Sequence, residues 1–191
     1  MAEDLTPSAE RVSTFGSLKN RNYRWFWIGS LASFGAMQMQ LLARGWLVYE
    51  LTSSTLALGI VTAGFGLPLV TVSFLGGVAA DRLPKRRVIM FSQTISAMIG
   101  LIIGVLIWTG NIQLWHLAAS AVAGGTTFAF NGPARQAFTP ELVGKSELMN
   151  AFAINSAGLN LTRILGPAAG GFLVAFTGVD GVYFISVAPY F

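Results

Sequence analysis

Three polar stripes interrupt an otherwise apolar sequence, and any chemistry the chain performs must start from them. Met37, Gln40 and Arg44 recur at spacings of three and four, as do Gly124, Thr127, Asn131 and Arg135, and again Ser156, Asn160, Arg163 and Pro167. Such spacings put each set on one face of a helix. A cation held in hydrocarbon is costly unless it faces a cavity or a partner. Arg44 and Arg163 sit inside apolar runs, so each either lines a path for a polar solute or ties helices together. Gln40, Arg44, Thr127, Asn131, Asn160 and Arg163 are accordingly the candidate pathway residues. Other chemistry finds little support. The 191 residues include no cysteine and one histidine, His116, which excludes thiol nucleophiles, disulfides, thiolate metal sites and His-rich metal centres. No nucleophile stands with a base, no glycine loop with a phosphate-binding lysine, and no carboxylate pair at membrane depth. Neither an enzyme nor a cofactor is expected. No Asp or Glu lies in the middle of an apolar run, so a protonatable carrier within this sequence would have to be Glu50 or Asp81 at the edges.

The elements that must carry these stripes are membrane helices. Hydrophobic residues make up 53% of the chain and charged residues 10%, against about 25% charged in an average soluble domain; mean hydropathy is +0.62. The net charge of +4 sits in short clusters between apolar runs, a membrane pattern and not a nucleic-acid-binding one. Runs at the ~20 residues a crossing helix needs fall at about Trp25 to Tyr49, Leu56 to Ala80, Val88 to Trp108, Leu114 to Ala134 and Leu148 to Phe176. A sixth begins near Val182 and reaches Phe191 too soon to cross, which reads as a span cut short, with a re-entrant end as the alternative. The expected architecture is all-α and integral to the membrane, with residues 1–24 as a polar tail and 25–191 as a transmembrane unit of five full helices and a partial sixth. Within the tail, Phe15, Leu18 and Tyr23 are spaced for a short interfacial helix; a loose basic anchor is the other reading.

Orientation follows from the positive residues. Arg11, Lys19, Arg21 and Arg24 precede the first span, Arg82, Lys85, Arg86 and Arg87 lie between the second and third, and Arg135 and Lys145 between the fourth and fifth. The opposite connections carry no Lys or Arg, so the N-terminus is expected in the cytoplasm. Small residues mark helix contacts. Gly59, Gly66, Ser73 and Gly77 recur along the second span, and Gly166, Pro167, Gly170 and Gly171 close the fifth, where a tight, bent contact is expected.

One motif is more specific. Gly77, Asp81, Arg82, Pro84, Lys85 and Arg86 resemble the signature of the major facilitator superfamily, in which a glycine is followed four residues later by Asp-Arg, a turn residue and a basic pair; Pro84 stands where a turn glycine is usual. Asn131-Gly-Pro133-Ala-Arg135-Gln136 and Arg163-Ile-Leu-Gly166-Pro167 resemble the subfamily of enterobactin-type siderophore exporters and macrolide-type efflux pumps. The antiporter-type ending Gly-Pro-x-x-Gly-Gly is present, but its upstream glycine positions hold Ala153 and Thr162, and Ser120 stands where proton-coupled exporters often carry an arginine.

The resemblance implies an N-terminal half of a two-half fold, built as a 3+3 inverted repeat and completed by a C-terminal six-helix half absent from this chain. It implies secondary active export of a small amphipathic or anionic compound, such as a drug or siderophore, by alternating access across the plasma (inner) membrane; the partners would be that second half, the small molecule and lipid, with no nucleic acid. A non-transporting scaffold or sensor is the alternative. Gly77, Asp81, Arg82, Lys85, Arg86 and Arg135 would form the gate, with Asp81 within salt-bridge reach of Arg82, Arg86 or Arg135. Arg163 is expected to point into the bundle or its cavity, near Asn160, Gln40, Thr127 and Asn131. The glycine face of the second span and the cavity stripes are expected to be uncovered.

Overall fold

The computed structural model describes residues 16–191; Arg11 and Phe15 lie outside them. Five long helices carry nearly all of this length: α1 (Arg21–Thr52), α2 (Thr55–Arg82), α3 (Lys85–Trp108), α4 (Leu114–Leu142) and α5 (Leu148–Val187). Short 3₁₀ turns occupy Gly16–Lys19, Lys145–Glu147 and Ala188–Tyr190. Every regular element among the described residues is helical.

The connections force the helices up and down. Between α1 and α2 there are two residues, Ser53 in the left-handed region at φ 49° and Ser54, whose side chain accepts from the backbone of Ala57. Between α2 and α3 there are Leu83 and Pro84, the proline taking the N-cap position of α3. Proline suits this place because it has no N–H to leave unpaired and its φ is already set. One end of the bundle is closed by Ala80, Ile89 and Ala134 and the other by Val48, Val61, Leu117 and Val182. The basic clusters at the start of α1, around the α2–α3 connection and at Lys145 therefore share one end.

Residues 16–24 belong to that end rather than standing apart from it. The Tyr23 hydroxyl donates to the carbonyl of Ala151 at 2.8 Å, Ser17 Oγ to Asn150 Oδ1 at 2.8 Å, and the Asn20 amide to the carbonyl of Leu142 at 2.6 Å. Tyr23 is fully buried; it and Leu18, the two described residues of the three spaced for an interfacial helix, lie in the opening turn of α1 and in a 3₁₀ turn, both docked on the α4–α5 corner.

By length and composition α2, α3 and the stretch Lys145–Tyr190 are long and apolar enough to cross a membrane. α1 and α4, with 32 and 29 residues, have the length but are diluted by the polar stripes they carry. The outward faces are mainly apolar, with Val70 and Phe74 each 77% exposed, which suits lipid and not water.

Glycines decide which helices pair. α2 lies on α4, where Gly76 meets the backbone of Ala129 and Phe130, and Gly125 meets the backbone of Phe65. α1 lies on α5, where a Cβ on Gly166 would stand 2.7 Å from Gln38 Cβ and one on Gly170 3.1 Å from Met39 Cα. Gly59, Gly66 and Gly77 instead face open space, so that face of α2 is uncovered while its neighbour Gly76 makes the close contact.

The fifth span ends where sequence placed its end, but the chain does not leave the helix there by a loop. α5 breaks at Gly178, with φ 76° and ψ 176°, a conformation essentially confined to glycine. Residues 179–187 then turn back onto α3 and α1: Gly104 packs under Tyr183 and Phe184, and Gln40 Nε2 donates to Ser186 Oγ at 2.8 Å. Gly178→Ala is expected to cost about 1–3 kcal/mol, read as a lowered melting temperature of the purified full-length protein. An unchanged melting temperature would mean that the break is not required.

Candidate functional site

Because α1 pairs with α5 and α4 with α2, α1 and α4 touch little. Between them lies a cavity of about 190 Å³, its wall completed by α3, Phe65 and the two tyrosines Tyr183 and Tyr190. Gln40, Arg44, Thr127, Asn131 and Arg135 all line it. The stripes of α1 and α4 thus meet in one space, as two polar faces must when the rest of each helix is apolar.

The side chains differ in how far they are spent. Thr127 is buried and donates to the carbonyl of Ala123 in its own helix at 2.7 Å. Gln40 is tied to Ser186, and Gln93 Nε2 on α3 donates to Ser33 Oγ at 2.7 Å. The Arg44 guanidinium sits 5.7 Å from the ring centre of Phe65, a cation–π contact worth about 0.5–2 kcal/mol. Arg135 donates through Nε to Asn131 Oδ1 at 2.6 Å and through Nη1 to Ser30 Oγ, and lies 5.7 Å from the ring centre of Phe26. A strip of three tilted rings runs along the wall, Phe34 to Phe128 at 6.5 Å and Phe128 to Phe65 at 6.3 Å.

The expected positions of Asp81 and Arg135 at the gate need correction. Asp81 is exposed and forms no ion pair among the described residues. α4 continues to Leu142, so Arg135 lies seven residues, roughly 10 Å, inside that end of the bundle. From there its guanidinium reaches Ser30 and Asn131 in the cavity. Among the described residues the ion pair at this end is Lys85 with Glu141, 2.8 Å apart. Arg82 and Arg86 are exposed beside it.

Arg163 and Asn160 do not line the cavity. Both are exposed; Arg163 Nη1 stands 3.4 Å from Asn160 Oδ1, and its guanidinium 6.0 Å from the ring centre of Phe34. Of the expected neighbours, Asn160 is present, while Gln40, Thr127 and Asn131 make no hydrogen bond to it. The close glycine contact between α1 and α5 leaves no gap for a long side chain, so Arg163 runs out along α1 past Phe34, itself a cavity residue.

Several cavity residues escaped sequence reasoning. Ser30 and Phe34 extend the α1 stripe by further helical turns, and Phe128 fits the α4 stripe between Gly124 and Asn131. Helical spacing could have found all three. Tyr183 and Tyr190 could not be found that way, because only the break at Gly178 brings them back to the cavity.

A family model described as transmembrane secretion effector matches residues 12–191. The multidrug efflux pump Tap of Mycolicibacterium fortuitum is 33% identical over 144 residues, covering 72% of this chain and 35% of that protein. The enterobactin exporter EntS of Citrobacter koseri is 29% identical over 146 residues, 75% of this chain and 35% of its own. The staphyloferrin A transporter of Staphylococcus aureus is 25% identical over 169 residues, 88% and 43% respectively. The chain thus spans less than half the length of each of these relatives, and no solved structure matches it significantly. A helical bundle with mainly apolar outer faces and the polar stripes of α1 and α4 gathered on one cavity agrees with a match over nearly the whole chain: the protein belongs to the transmembrane secretion effector family of major facilitator superfamily transporters, integral membrane proteins and not enzymes.

Proposed function

We propose that this chain is the N-terminal half of a secondary active exporter of small amphipathic or anionic compounds, drugs or siderophores, working by alternating access with a C-terminal six-helix half. The observation that carries the reading is the cavity between α1 and α4, which gathers two arginines and the amides of Gln40, Gln93 and Asn131 inside an apolar bundle. A scaffold or sensor has no need to keep two cations in such a space. Asp81, exposed and unpaired among the described residues, would gate by accepting hydrogen bonds from a helix N-terminus or basic side chain of the other half. Gly77, Arg82, Lys85 and Arg86 would shape that contact. Arg163 and Asn160, exposed beside Phe34, would face the pathway once the second half covers them. The basic end would lie in the cytoplasm, with the protein in the inner membrane.

The test is transport by the full-length protein in everted membrane vesicles. Uptake of fluorescent drug-like or catecholate compounds that needs an ion gradient, resists ATPase inhibitors and exceeds that of vesicles without the protein is expected. Absence of uptake for compounds of every charge class would remove the exporter reading.

A further inference from the structure

The cavity has a charge inventory that export alone does not require. Among the described residues that line it there is no Asp or Glu, while Arg44 and Arg135 both do. Of the acids near the basic end among the described residues, Glu141 pairs with Lys85, Asp81 is exposed, and Glu147 lies in the Lys145–Glu147 turn outside the cavity lining. Neither arginine therefore has an acidic partner among the described residues, and a guanidinium keeps its charge at any accessible pH.

Their donors are also unspent. Arg44 has no hydrogen-bond or ion-pair partner among the described residues, only the ring of Phe65. Arg135 uses one Nε–H and one Nη1–H, on Asn131 and Ser30, of the five N–H groups a guanidinium offers. Ser30 and Asn131 hold the fork in place without cancelling its charge. A half-buried cation with idle donors and no carboxylate calls for an anion from outside, and a fork of parallel N–H groups suits an oxyanion best. Between the two cations the wall is aromatic, with the Phe34, Phe128 and Phe65 strip on one side and Tyr183 and Tyr190 completing it. Arg135 touches α1 at Ser30, fourteen residues before Arg44. That separation is roughly 21 Å along the axis before the side chains lean inward.

We propose that this cavity recognises an organic anion with a flat aromatic body and oxyanionic groups toward both ends, and that Arg135 is a binding residue at its inner end rather than a partner of Asp81 in the gate. The proposal rests on the export reading and names the substrate class of that site.

The test uses the purified full-length protein in nanodiscs and four matched probes: stilbene dicarboxylate, stilbene monocarboxylate, the dimethyl ester of the dicarboxylate, and stilbene diamidine. Equilibrium binding is followed by probe fluorescence. The dicarboxylate is expected to bind at least about tenfold tighter than the ester, with the monocarboxylate between them and the diamidine weakest. Arg135→Gln should weaken dicarboxylate binding about tenfold or more and ester binding less than about twofold, and Arg135→Lys should recover part of the loss. Arg21→Gln, on an exposed turn at the start of α1, should change neither. If Arg135→Gln fails to fold, the wild type still decides: added salt should weaken the dicarboxylate and leave the ester unaffected.

Equal affinity for all four probes, with export of neutral compounds intact, would overturn the anion assignment and leave the export reading standing. A parallel loss of ester and dicarboxylate binding in a folded Arg135→Gln protein would return Arg135 to the gate. No export at any charge would end the export reading, and this proposal with it.

Discussion

Gly76→Val and Gly125→Val are each expected to remove most of the correctly folded full-length protein from the membrane. A Cβ on Gly76 would run into the carbonyl of Ala129, and one on Gly125 into the carbonyl of Phe65. Neither obstacle is the end of a flexible side chain that can swing away. Where side chains can adjust, overpacking costs about 1–3 kcal/mol. Here two helix backbones must separate, so the expected cost is on the order of 3 kcal/mol or more. Gly59→Ala and Gly66→Ala are the controls, since each faces open space within this half and alanine, which adds a single methyl, favours a helix by up to about 1 kcal/mol over glycine. Fluorescence-detected gel filtration of tagged variants reads the difference. Equal recovery of all four would contradict the close packing of α2 on α4.

Arg44→Gln is expected to reduce export of organic anions at least about tenfold, roughly 1.4 kcal/mol of lost interaction, while leaving the amount of folded protein near that of the wild type. Its removal strands no acid, because none pairs with it among the described residues. The folded state gives up only the contact with Phe65. A variant that exported anions normally would make Arg44 a helix clamp. One that failed to fold would assign it the same role.

How much of this was readable beforehand depends on whether a feature is set by one helix or by several. The long apolar runs, the polar stripes of α1 and α4 and the small residues along α5 are properties of single helices, and periodicity exposed them. The Asp-Arg connection after α2 was legible for a related reason, since its charges and turn residue stand next to one another in sequence. The direction of Arg135 was not legible. A basic residue two turns from a helix end can reach outward to Asp81 or inward to Ser30, and only the approach of α1 decides between them. The same holds for Arg163, whose course along α1 follows from how closely Gly35, Gly166 and Gly170 bring two backbones together. Tyr23 read as an interfacial anchor because sequence could not show that Ala151 would offer it a carbonyl. Glu141 carries no signal in its own stretch of sequence, and only the packing of α3 against the last turn of α4 lets it meet Lys85.

The central claim is that the space between α1 and α4 is part of a water-accessible path. This chain contains no cysteine, which permits single cysteines to be read against a clean background in this half once any in the other half are replaced. Met37→Cys and Asn131→Cys place thiols on the cavity, while Met98→Cys and Ile102→Cys place them on the exposed apolar face of α3, outside it. In the full-length protein in native membranes, the cavity cysteines should react with a charged methanethiosulfonate reagent, and an exported compound should slow them. The α3 cysteines, facing lipid, should stay unreactive. Cavity cysteines as inert as those on α3, with the reagent supplied to both sides of the membrane, would contradict the account.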